Sequence, residues 1–220
     1  MSYPKMQLDT SRKVYIILDL NAFLTSDLKK FDYLLSNQIC AIQIWDNQNT
    51  YEDKFDLLEQ IIAISHAHHI PVIMNNQFNL LHKLDFDGVH FDEIPIDWAE
   101  IKHFLQGKII GITCTNDEFI LTWAEQQNID YLSFCSLFPS LNNSKCELVD
   151  KKFLERIQLE LKVPFFVAGG ITPDNIPELN NLNYSGIALV SGLMRHDYPK
   201  QIVNKFYNQI NQNHENKNNT

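Results

Sequence analysis

Pro164-Phe165-Phe166-Val167-Ala168-Gly169-Gly170 is a short apolar run that ends abruptly in paired glycines, and its reading decides the fold. Just before it, Phe153, Ile157 and Leu161 recur at the spacing that places side chains on one helical face. A strand that is apolar on both faces and is fed by an amphipathic helix is the repeating piece of a parallel sheet, because parallel sheets are covered by helices.

The same alternation extends outward in both directions. Short β-branched runs occur at Val14 to Leu18, Ala41 to Trp45, Pro71 to Met74, Gly88 to Phe91, Ile109 to Thr113, Tyr131 to Phe134, Pro164 to Ala168 and Ile187 to Val190. Longer amphipathic stretches separate them, such as Phe55, Leu58, Ile61, Ile62 and Ser65. This pattern in a chain of 220 residues predicts an α/β fold, a single (β/α)8 TIM barrel, with the open doubly wound sheet as the fallback. Residues 1–13 read as an N-terminal extension and 14–212 as the barrel. Residues 213–220 read as a polar tail, expected to fray for want of an apolar residue.

Charge and cysteine usage narrow the function. With 27 acidic against 18 basic residues the net charge is -9, which argues against nucleic acid or an anionic membrane as partner. Any anionic small molecule must then bind in a local pocket. Cys40, Cys114, Cys135 and Cys146 form no CxxC pair, so neither a zinc cage nor a disulfide framework is expected, and reduced thiols suit a cytoplasmic chain. No apolar run approaches the roughly 18 residues of a membrane span. Met1 to Lys13 also lacks the apolar centre of an export signal. The oligomeric state is left open.

In a barrel, chemistry belongs at the C-terminal strand ends. Val167 through Asn175 carries Gly169-Gly170 into Ile171-Thr172-Pro173, read as a helix start, and the eighth run ends at Val190-Ser191-Gly192. Without Cβ atoms the backbone can approach an anion, and a helix N-terminus adds partial positive charge. Either turn alone would suit a tight strand-to-helix connection; together, after the seventh and eighth strands, they point to a phosphate seat. After the sixth strand, Ser140 can donate to a phosphate oxygen and Lys145 can neutralise an anion. His66, His68 and His69 close an outer helix and suit its dipole better than a metal, and His90 reads as a packed residue on an inward strand.

Asp87-Gly88-Val89-His90, Ile109 through Thr113, Asp130-Tyr131 through Phe138-Pro139-Ser140, Val167 through Asn175 and Ala188 through Gly192 occur in the order and spacing of one family. Over about Val14 to Phe206 the chain resembles the thiamine-phosphate synthase and thiazole tautomerase family. The resemblance implies a (β/α)8 barrel and a transferase joining hydroxymethylpyrimidine diphosphate to thiazole phosphate, with release of diphosphate and with Mg2+ on the leaving group. It implies that Gly169, Gly170, Val190 and Ser191 hold the thiazole phosphate through backbone N–H groups, helped by Ser140. It implies too that Gln43 lies near the pyrimidine diphosphate, that Thr113 replaces a serine contacting diphosphate, and that Lys145 matches a family lysine.

Departures accompany the matches. Where the family has Arg and Lys after the glutamine, this chain has Ile44, Trp45, Asp46 and Asn47. A family aspartate is Asn76, and a second falls near Pro95, leaving Asp92, with Glu93, Asp19 and Asp46, as replacement carboxylates. The tautomerase histidine is absent as well, the stretch reading Thr113-Cys114-Thr115-Asn116, so Cys135 or Cys114, or less readily His90, would have to move protons. Three readings stand: a synthase, a tautomerase-like isomerase, and a non-catalytic thiazole phosphate binder.

Overall fold

The computed structural model describes residues 6–45, 51–139 and 147–218. Strands β1 (Val14–Asp19), β2 (Ile39–Trp45), β3 (Val72–Asn75), β4 (Gly88–Phe91), β5 (Ile109–Cys114), β6 (Tyr131–Cys135), β7 (Phe165–Ala168) and β8 (Gly186–Val190) each pair in parallel with the next. β8 returns to β1, with Ile17 opposite Val190, and closes the barrel. Every expected run is a strand; only the ends move by a residue or two, where hydrogen-bond ladders fray.

Side chains alternate along each strand, so one parity faces the barrel interior and the other the helices. Tyr15, Ala41, Ile73, Ile109, Tyr131, Phe166, Ala168 and Ala188 pack together inside. Their neighbours Ile16, Ile42, Val72, Ile112, Leu132, Val167 and Ile187 belong to the larger layer between sheet and helices. Both layers exclude water, which is why the strands read as unbroken apolar runs.

The outer ring holds α1 (Leu28–Leu34), α2 (Phe55–Ala67), α3 (Trp98–Ile101), α4 (Glu118–Gln127), α5 (Lys151–Ile157) and α6 (Pro199–Asn218). It departs from the expected helix after every strand. β3 and β7 are followed only by 3-10 turns, Phe78–His82 and Ile176–Leu179. Asn75 to Gly88 is too short to hold a long helix between two turns, and after β7 the helical stretch is the four residues Ile176–Leu179 alone. α5 stops at Ile157, so Leu161 packs from the loop beyond it.

The tail expectation is also corrected. α6 continues through Asn218, and Val203, Phe206, Ile210 and Asn213 form its buried stripe. Asn213 Nδ2 donates to the Tyr184 hydroxyl at 3.2 Å, so an amide takes the place that an apolar residue would fill. No helix among the described residues is long and apolar enough to cross a membrane.

The histidines at the end of α2 have partners other than the helix dipole. His66 Nε2 meets Asp87 Oδ2 at 2.8 Å, and that oxygen also accepts from the Val72 amide at 2.8 Å. The hydrogen bond to Asp87 raises the His66 pKa against partial desolvation. His68 meets Asp32 at 2.7 Å. The His66 pair lies where β3 and β4 begin, on the face of a barrel that serves stability.

Candidate active site at the barrel mouth

Polar side chains at inward parity interrupt the apolar strands, and they find one another across the barrel. Gln43, in the run Ile39-Cys40-Ala41-Ile42-Gln43-Ile44-Trp45, is buried. Its Oε1 accepts from the Tyr15 hydroxyl at 2.9 Å and its Nε2 donates to Asn75 Oδ1 at 2.6 Å. Asn75 Nδ2 donates to Asp92 Oδ2 at 3.1 Å. On the other side, the Tyr15 and Tyr131 hydroxyls lie 2.8 Å apart, Tyr131 meets His90 Nδ1 at 3.0 Å, and His90 Nε2 meets Thr113 Oγ1 at 2.9 Å. A continuous hydrogen-bonded path thus runs from Thr113 through the barrel to Asp92.

Packing holds this path in place. The His90 and Tyr131 rings stack at 5.5 Å, and Tyr131 meets Phe166 edge-on at 5.7 Å. Gly111 makes room for Tyr131: a Cβ there would lie 2.1 Å from the ring. Burial pushes the His90 pKa down to about 4, so the imidazole is neutral at pH 7, and burial raises the Tyr15 and Tyr131 hydroxyls. His90 is the packed inward residue its sequence suggested, with a hydrogen bond at each ring nitrogen.

The turn after β7 is shaped by the turn after β6. The amides of Leu137 and Phe138 donate to the carbonyls of Ala168 and Gly169 at 2.9 and 3.0 Å. Asn175 Nδ2 takes up the Gly170 carbonyl at 3.0 Å, and Asn175 Oδ1 accepts from the Thr172 amide at 2.8 Å. Gly169 and Gly170 sit at φ +88° and +64°, a region that favours glycine, and a Cβ on Gly169 would lie 1.9 Å from Ser136 Oγ. The glycines therefore answer a packing need. Their carbonyls are satisfied, by the Phe138 amide and by Asn175 Nδ2.

The helix start expected after Gly170 is only the 3-10 turn at Ile176–Leu179, which supplies no helix dipole at the glycines. After β8 the chain enters a second 3-10 turn, Ser191–Arg195, with Val190 at its N-cap and no side chain capping it. Beside it lies a cleft of about 170 Å³ lined by Asp19, Phe23, Asp27, Met194 and Arg195. Arg195 is a cation the sequence reading passed over; its signal was a basic residue shortly after the last small-residue turn. Asn75 was passed over too, although an amide at inward parity in Val72-Ile73-Met74-Asn75 marks it.

The expected metal ligands bind each other. Asn76 Nδ2 donates to Asp92 Oδ2 at 2.7 Å, and the Asp92 amide donates to Asn76 Oδ1 at 3.0 Å. Asn76 has both polar atoms turned to Asp92, and among the described residues no group of three His, Cys, Asp or Glu could hold a metal ion. One carboxylate already accepting two amides does not fit a magnesium site built by the protein. Burial pushes the Cys114 thiol up to about 12, which removes it as a proton carrier near neutral pH. Ser140, Lys145 and Asp46 lie outside the described residues.

The sequence profile of the family described as thiamine monophosphate synthase matches residues 14–193, from the first strand through the turn after the last. The chain belongs to that family. Thiamine-phosphate synthase of Picrophilus torridus is 28% identical over 176 residues, covering 80% of this chain and 86% of the relative. That of Nitrosococcus oceani is 28% identical over 186 residues, covering 84% and 86%. The structure of thiamine phosphate pyrophosphorylase from Pyrococcus furiosus superposes with a TM-score of 0.77 at 19% identity, covering 93% of this chain and 98% of the other. A 3-hexulose-6-phosphate synthase shares the barrel at a TM-score of 0.63 and 17% identity. This family's barrel thus carries, in the present chain, the mouth described above.

Proposed function

We propose that the barrel mouth joins hydroxymethylpyrimidine diphosphate to thiazole phosphate, the thiamine-phosphate synthase reaction. The observation that carries this reading is the glycine pair Gly169-Gly170, held at positive φ just past the end of β7 where barrels bind phosphate, in a member of the thiamine monophosphate synthase family. The phosphate of the thiazole rests on the amides of that pair and on the turn at Val190 and Ser191. The pyrimidine lies over Gln43, whose amide is fixed from both ends by Tyr15 and Asn75. The thiazole nitrogen attacks the methylene carbon as the carbon–oxygen bond to diphosphate breaks.

The substrate's negative charge needs cations as it grows. Arg195 and Lys145 are this chain's candidates, whereas Asn76 and Asp92, engaged with each other, do not fit a magnesium ion. That same engagement favours a second reading, a thiazole phosphate binder without turnover. Purified full-length chain, incubated with both substrates and Mg2+ and followed by chromatography, separates the two. Thiamine phosphate formation supports the synthase. Binding of thiazole phosphate without product supports the binder, and binding of neither substrate removes both.

A further inference from the structure

The path from Thr113 to Asp92 has a direction, and the direction follows from one end. A carboxylate only accepts, so Asn75 donates its Nδ2 proton to Asp92 and presents Oδ1 to Gln43. Gln43 then donates through Nε2 and presents Oε1, which only accepts, to Tyr15. Tyr15 has a single hydroxyl proton and commits it to Gln43, so its contact with Tyr131 at 2.8 Å is donated by Tyr131. Tyr131 in turn has no proton left for His90, so His90 Nδ1 carries the proton between them. A neutral imidazole then has a bare Nε2, which accepts from the Thr113 hydroxyl.

From this geometry we infer that Tyr15 and Asp92 are positioning residues: they fix His90 as the Nδ1–H tautomer and thereby turn the Thr113 hydroxyl proton inward. Thr113, half-buried at the mouth end of β5, presents lone pairs to whatever enters. A ligand atom resting on Thr113 is therefore a hydrogen-bond donor, such as the amino group of an aminopyrimidine, and not a diphosphate oxygen. This last clause rests on the proposed function; the tautomer does not.

The test is made on the full chain with ring-15N histidine at pH 7.5, where long-range proton–nitrogen correlations report which ring nitrogen of His90 is protonated, with His90 assigned through bonds from its Cβ. The wild type is expected to show Nδ1–H. In Tyr15→Phe, Tyr131 loses its acceptor and turns its proton to His90 Nδ1. The ring proton then moves to Nε2, and the tautomer switches. Thr113→Val removes the far end only and keeps Nδ1–H. An Nε2–H ring or an imidazolium in the wild type, or a folded Tyr15→Phe that retains Nδ1–H, overturns the inference. Should Tyr15→Phe not fold, the wild type and Thr113→Val decide.

Calorimetry separates the ligand clause from the relay. Thr113→Val should weaken binding of the aminopyrimidine diphosphate several-fold and leave inorganic diphosphate within twofold. Equal weakening of both refutes the clause. Failure of the wild type to bind either probe refutes the functional reading, and with it the clause, while the tautomer result stands by itself.

Discussion

Replacing Gly169 by alanine tests whether the turn after β7 is shaped by backbone conformation and packing together. Gly169 lies at φ +88°, and forcing an L-residue into the left-handed region costs about 1–2 kcal/mol. The new Cβ would stand 1.9 Å from Ser136 Oγ and 2.7 Å from Ser136 Cα, an overlap that only a shift of the neighbouring turn can relieve. Overpacking of this kind costs a further 1–3 kcal/mol or so, giving a total of about 2–5 kcal/mol. For a chain of this size that corresponds to a fall in Tm of roughly 4–20 °C. Gly107 supplies the comparison, since its φ is +80° but nothing lies within 4 Å of the point where a Cβ would stand, leaving the conformational cost alone. Urea unfolding of wild type, Gly169→Ala and Gly107→Ala measures both. If Gly169→Ala is no less stable than Gly107→Ala, the packing argument for the glycine pair is wrong.

Other consequences are open to direct measurement. The folded pKa of His66 is raised above its unfolded value near 6.5, so the Asp87 pair stabilises fully below that pH and its ionic part fades as pH rises through the folded pKa. The stability gap between wild type and His66→Gln should therefore be widest near pH 6 and narrow towards pH 9; a gap that widens with pH contradicts the pairing. Cys40 and Cys114 are buried with raised thiol pKa values, so at pH 7.5 iodoacetamide should label them only as fast as the protein unfolds, which mass spectrometry can follow. Asn213→Ala removes the bond to the Tyr184 hydroxyl and should cost about 1 kcal/mol in urea unfolding. An unchanged midpoint would mean that the end of α6 contributes nothing.

The strands were legible because both of their faces are buried, which leaves short apolar runs such as Ile109-Ile110-Gly111-Ile112 that match no other element. The helices were less so. Two of them are only 3-10 turns, after β3 and after β7, and the buried stripe of α6 ends in Asn213, whose amide hid it from a reading based on apolar residues. At the site, Gly169 and Gly170 could be found locally, but the reason for them could not, because Ser136 and Phe138 crowd them from another turn. Gln43 and Thr113 were singled out through family likeness, whereas the path that joins them depends on the Tyr15–Tyr131 contact between β1 and β6, which exists only once the barrel closes. Asp92 and Asn76 were read as metal candidates with no geometry between them, and the structure pairs them with each other, since composition does not reveal that two groups satisfy one another.

The buried path between Thr113 and Asp92 also bears on how this interior can change. Each member's hydrogen-bonding role is dictated by the next, so exchanging one for a residue of opposite polarity leaves a mismatch at a distance from the exchange. Grafting these positions from a relative should accordingly succeed as a block and fail piecemeal, an epistasis that reaches across opposite walls of the barrel.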